Sequence, residues 1–97
     1  MKTATKWDAS EYLETEEDMA AYLNAALEDG DTSVVAAALG DIARAKGMTQ
    51  LSKETGITRD GLYKALSPTG NPSFDTVQKV IRAFRLKLNV AAVSHGR

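Results

Sequence analysis

The sequence predicts an all-α domain of five helices with a short C-terminal β-strand, and three observations carry that prediction. Apolar residues recur at helical spacing through three longer stretches, two shorter amphipathic segments meet at Gly56-Ile57, and from Leu86 the period changes to two. The two short segments, Met48 to Leu66 (MTQLSKETGITRDGLYKAL), lie too close together for either to stand alone. Isolated helices below about 12 to 15 residues are marginal in water, so each needs the other and a supporting core. The spacing therefore predicts a helix-turn-helix over residues 48–66.

The remaining elements read in order as its support. Residues 1–14 form an N-terminal arm whose large apolar groups are Trp7, Tyr12 and Leu13, one of which is expected to anchor it. Thr15 caps the first helix, because its hydroxyl can accept from a free N–H and Glu16, Glu17 and Asp18 suit the positive end of the helix dipole. Met19, Leu23, Ala26 and Leu27 make its apolar stripe, and Gly30 stops it. Asp31 or Thr32 caps the second helix, with a stripe of Val35, Ala38, Leu39, Ile42 and Ala45. Gly40 inside that stripe costs up to about 1 kcal/mol relative to alanine, which predicts a close approach by another helix. The helix ends at Gly47 with Arg44 and Lys46 in its last turn.

Thr49 is the expected cap of the first short helix, with Leu51 inward. Gly56 supplies the left-handed turn, Ile57 fills the core beneath it, and Thr58 caps the second short helix, whose Leu62, Ala65 and Leu66 face inward. Ser67 to Pro72 is a loop. Ser73 caps the last helix, with a stripe of Phe74, Val77, Ile81 and Phe84 and Val80 beside it. Leu86, Leu88 and Val90 then alternate with Lys87 and Asn89, predicting a strand over residues 86–93. Such a strand has an unpaired edge, expected to meet a symmetry mate, another protein or a neighbouring arm, and the strand is the first candidate for a dimer interface, with the last helix second.

Ninety-seven residues, 43% hydrophobic and 26% charged, fit a single globular domain spanning residues 1–97. Without cysteine and with a single histidine, His95, neither a metal site nor any other cofactor is expected. The opening MKTATKWDASEYLETEED has no apolar run, so neither a signal peptide nor a membrane span is expected and the chain is read as cytoplasmic. Charge is unevenly divided: 4 Lys/Arg against 10 Asp/Glu from Met1 to Lys46, and 8 against 3 from Gly47 to Arg97. A basic half suits a polyanion, and an acidic half suits a basic partner or a solvated face.

DNA recognition needs a short helix that presents polar and basic side chains to the major groove, braced by a second helix. Thr58, Arg59, Asp60, Tyr63 and Lys64 fall on the outer face of the second short helix. Arg59 and Lys64 suit guanine or phosphate, Thr58 and Tyr63 suit base or phosphate, and Asp60 suits cytosine or the positioning of Arg59. Lys53, Lys46 and Ser73 are further phosphate candidates. An enzyme is not expected: the carboxylates Glu14, Glu16, Glu17 and Asp18 are accounted for by a helix start, and the glycines occur singly.

On Leu51, Ser52, Gly56, Ile57, Thr58-Arg59 and Leu62 the chain resembles the Xre or Cro/C1-type helix-turn-helix family, which implies a lambda-repressor-like fold. It departs from that pattern at Ser52, where alanine is usual, at Thr55, where leucine is common, and in a lead-in about two residues shorter. Over ALEDGD and then AAALGDIARAKGMTQLSKETGITRDGLYKALSPTGNPSFDTVQKVIRAFRLKLNV it is similar to the probable addiction-module antidote proteins, a HigA-like group of antitoxins. The resemblance implies a DNA-binding antitoxin of a type II toxin-antitoxin module. Such a protein neutralises a cognate toxin of the RelE/ParE or HigB type and represses its own operon, and the expected partners are operator DNA, the toxin and a second copy in a homodimer. The alternatives are a stand-alone helix-turn-helix regulator without a toxin, and a protein-interaction module that has lost DNA binding.

Overall fold

A computed structural model describes residues 13–93, and among these it holds five α-helices and no strand. They are α1 (Glu16–Asp29), α2 (Thr32–Lys46), α3 (Met48–Thr55), α4 (Arg59–Ala65) and α5 (Phe74–Ala83). None is long and apolar enough to cross a membrane. Trp7, Tyr12 and His95 lie outside the described residues, and Leu13 is buried against the core.

Each helix start repeats the same chemistry with one exception. Thr15 accepts from the Asp18 N–H at 3.0 Å while Asp18 accepts from the Thr15 N–H at 3.2 Å, a reciprocal box that satisfies two otherwise orphaned donors. Asp31, rather than Thr32, caps α2 through the Ser33 N–H at 2.9 Å. Thr58 caps α4 and Ser73 caps α5. Helix α3 departs from expectation: its N-cap is Gly47 at φ 109°, with no side-chain cap bond, and Thr49 sits inside the first turn. Gly47 also ends α2, its N–H donating to the Ala43 carbonyl at 2.9 Å, so one residue without a side chain serves both helices.

The core is built around α2, whose buried face is wider than a single stripe and adds Ala36, Gly40 and Ala43 to Ala38, Leu39 and Ile42. α1 packs along α2 through Met19, Leu23 and Ala26, leaving the expected Leu27 exposed at the stripe's edge. α3 packs on α2, α4 and α5, and Leu51, Leu62, Val80, Ile81 and Phe84 close the centre with essentially no exposure. Phe74, expected inward, is 67% exposed. It is the first residue of α5, one turn before Val77, and the core has ended beneath it.

Gly40 meets the predicted close approach: a Cβ there would collide with the backbone carbonyl of Leu66 at the end of α4. At the same helix end, a Cβ on Gly70 would run into the Ala65 and Lys64 carbonyls. Two glycines thus allow close backbone approach to the last turn of α4.

The predicted strand over residues 86–93 is not formed. α5 ends with Arg85 in the left-handed region at φ 69°, and the Leu86 N–H reaches back to the Ile81 carbonyl at 3.1 Å while the Arg85 N–H bonds Arg82 at 2.9 Å. This is a helix-terminating motif whose companion is an apolar contact from the residue after the turn, the position Leu86 holds. Its place in an alternating pattern therefore reflects the end of a helix. Beyond it no neighbouring strand among the described residues offers a ladder, and Val90 and Val93 are exposed.

α1 and α2 are tied by a polar clamp. The half-buried Tyr22 hydroxyl donates to Asp41 at 2.6 Å, and Arg44 meets the other oxygen of that carboxylate at 2.6 Å. Burial first, then the hydrogen bond to Asp41 and its charge, push the Tyr22 hydroxyl up to about 12. Tyr22→Phe is expected to lower stability by about 1 kcal/mol, read as a reduced urea midpoint. Because the folded state holds the phenol proton more tightly than the unfolded chain, the wild type's advantage over Tyr22→Phe is full below pH 10 and declines as pH rises toward 12.

Candidate nucleic-acid interface

The turn between α3 and α4 is held by hydroxyl groups. Gly56 at φ 78° ends α3 and donates to the Ser52 carbonyl at 2.9 Å, which leaves the following backbone groups to find other partners. The Ser52 hydroxyl donates to the Ile57 carbonyl at 2.6 Å. The Thr55 hydroxyl donates to the Leu51 carbonyl at 2.9 Å and accepts from the Ile57 N–H at 3.2 Å. Thr58 then accepts from the Gly61 N–H at 3.0 Å and α4 begins. Ser52 and Thr55, two of the departures from the usual pattern, are the residues that satisfy this turn. Ile57 plugs it from below, half-buried against the core.

Leu62 and Leu66 anchor α4 inward, which leaves Arg59, Asp60, Tyr63 and Lys64 exposed on its outer surface. They form two interlocked pairs, each one helical turn apart. The Arg59 guanidinium lies over the Tyr63 ring, 5.9 Å from its centroid, a geometry in which the ring face attracts the cation. Lys64 Nζ is 3.4 Å from Asp60 Oδ2, with both side chains about four-fifths exposed. Asp60 is therefore engaged with Lys64, while the Arg59 guanidinium lies over Tyr63. A pair this exposed contributes little to stability, and its carboxylate is free to be displaced by a phosphate or a base.

The other candidates sit on separate elements. Lys53 is exposed on α3, and Lys46 is half-buried at the end of α2. The Ser73 hydroxyl accepts from the Thr76 N–H at 3.1 Å and donates to the Thr76 hydroxyl at 3.1 Å, so its hydrogen bonds are spent on the cap of α5. Thr58 keeps its hydroxyl proton for another acceptor. Gln50 is engaged by Glu54 at 2.7 Å along α3. What the residue-by-residue reading missed is the uncapped start of α3 at Gly47, where the first-turn N–H groups have no side-chain partner and Lys46 adjoins them. Only the absence of a serine, threonine or aspartate at position 47 hinted at it.

Fold and site together define a small all-helical protein with two short helices joined by a tight turn, the second offering a polar and basic face. A family model described as "Probable addiction module antidote protein" matches residues 3–92, and the chain belongs to that family. Membership implies a toxin partner. A curated relative from Haemophilus influenzae, an "Uncharacterized protein", is 49% identical over 84 residues, covering 87% of each chain. No solved structure matches.

Proposed function

We propose that this protein is the antitoxin of a type II toxin-antitoxin module, a non-catalytic cytoplasmic repressor that neutralises a RelE/ParE or HigB-type toxin and binds its own operator as a homodimer. The observation that carries the DNA-binding half is the outer face of α4, where Arg59 held by Tyr63 and Lys64 held by Asp60 stand clear of the core on a helix braced by α3. In this reading α4 is the recognition helix of a lambda-repressor-like helix-turn-helix. Arg59 and Tyr63 face bases, Lys64 and Lys53 face phosphates, and the uncapped start of α3 beside Lys46 takes a phosphate oxygen. Thr58 contributes through its remaining hydroxyl proton. The antitoxin half rests on the family.

A single module of this size contacts too few base pairs for an operator, so a two-fold pair on two half-sites is the working unit. The segment 86–93 supports that pairing: Leu88 lines a surface groove together with Phe74, Val90 and Val93 are exposed, and the backbone makes no ladder within the described chain. The test is a mobility-shift titration with the DNA upstream of the protein's own gene. A shift that weakens steeply with salt supports the reading, and no shift at low salt from folded protein overturns it. Co-expression with the adjoining reading frame tests the antitoxin half, and growth arrest that this protein fails to relieve overturns that.

A further inference from the structure

We infer that the corner where α1 turns into α2 is the docking surface for the toxin, and that this partner presents an apolar side chain flanked by lysine or arginine. The inference rests on the antitoxin reading and deepens it. A groove of about 500 Å³ runs between the two helices, floored by the buried Ala26 and Ala38 and bounded by Tyr22, Val34, Asp29 and Asp41, and its lining contains no lysine or arginine. Val34 is 40% exposed on its wall.

The charge at this corner is what chooses the occupant. At the start of α1, Glu16, Glu17 and Asp18 sit where the helix dipole favours carboxylates, and Asp18 completes the capping box. Those acids are explained by the helix itself. At the other end the situation reverses: Glu28 and Asp29 occupy the last turn, no basic residue accompanies them, and both are exposed. The carbonyl ends of a helix repel carboxylates there, so local stability favours lysine or arginine at both positions. Asp31 follows immediately, committed to capping α2. Glu28 and Asp29 therefore stand where the field of α1 opposes them, and Asp29 lines the apolar groove.

A cationic ligand removes that conflict, whereas DNA is repelled by it. A second copy of the same chain is also disfavoured, since an isologous contact brings the two acidic corners together. A basic protein surface is what remains, and it leaves the α4 face open for DNA.

The experiment uses the full chain and, as probe, the tagged product of the adjoining reading frame. The variant Glu28→Lys/Asp29→Lys is expected to unfold at a higher temperature than the wild type, to hold the promoter DNA no less tightly, and to bind the probe at least tenfold more weakly. Ala25→Arg, which fills the groove from an exposed helical position, is expected to weaken the probe to a similar degree without altering the rim. Probe binding by either variant within twofold of wild type overturns the inference. If the wild type itself neither binds the probe nor relieves its toxicity, the antitoxin reading fails and the docking surface with it, an outcome distinct from variants that bind as well as wild type.

Discussion

Gly40→Ala is expected to destabilise the protein by about 2 kcal/mol, although alanine is the better helix former by up to about 1 kcal/mol. The added methyl meets the Leu66 carbonyl, a backbone atom at the end of α4. A flexible side chain could swing aside, but this carbonyl can retreat only if α4 moves, and Leu62 and Leu66 fix α4 in the core. For a domain of this size 2 kcal/mol corresponds to a melting temperature lower by roughly 10 °C, measured by circular dichroism. Because the displaced element is the proposed recognition helix, promoter affinity is expected to fall further than the unfolded fraction alone accounts for. An unchanged or raised melting temperature would show that α2 and α4 are less tightly apposed than described.

Arg59→Ala is expected to weaken promoter binding by about 1 to 3 kcal/mol and to relax base preference at one position in each half-site. Lys64→Ala should instead weaken all DNA sequences evenly and make the salt dependence shallower. The two pairs on α4 permit finer tests within this prediction. Tyr63→Phe keeps the ring under the guanidinium and should retain most of the affinity, while Tyr63→Ala frees Arg59 and loses roughly a further 0.5 to 1 kcal/mol. Asp60→Asn releases Lys64 and removes a carboxylate from the DNA-facing side, so it should tighten binding to unrelated DNA and erode discrimination. These are read from parallel titrations on promoter and scrambled duplexes. Equal affinity of Arg59→Ala and wild type for both would remove Arg59 from the interface.

Much of the scaffold was legible because it is written in short-range chemistry. Thr15, Asp31, Thr58 and Ser73 announce helix starts by their hydroxyl or carboxylate oxygens, and the stripe through Leu39, Ile42, Leu51, Leu62 and Ile81 announces the core. Errors fell where a residue's role depends on something distant or on a missing group. Gly47 caps α3 with no side chain to signal it, so Thr49 was the natural choice. Leu86 fits an alternating pattern but answers to Ile81 across a helix end, and the left-handed Arg85 that places it carries no glycine to mark the turn. Phe74 has the right spacing for its stripe, and only the extent of the core beneath α5 decides that it stays outside. On the candidate site, the outer face of α4 was legible from periodicity, whereas the pairing of Arg59 with Tyr63 and of Asp60 with Lys64 needed the rotamers.

The shortness of α3 and α4, eight and seven residues, bears on how long the proposed DNA-reading face persists in solution. Neither helix can survive outside the core, so a molecule whose core has opened no longer offers the α4 face. Whatever fraction of molecules is unfolded at a given moment is also the fraction silent toward DNA. Each kcal/mol removed from the core, at Phe84 or Leu39 as much as at α4 itself, enlarges that silent population about fivefold. Any protease that works on opened chains therefore competes for the same pool, and the protein's lifetime and its proposed occupancy of DNA are expected to decline together.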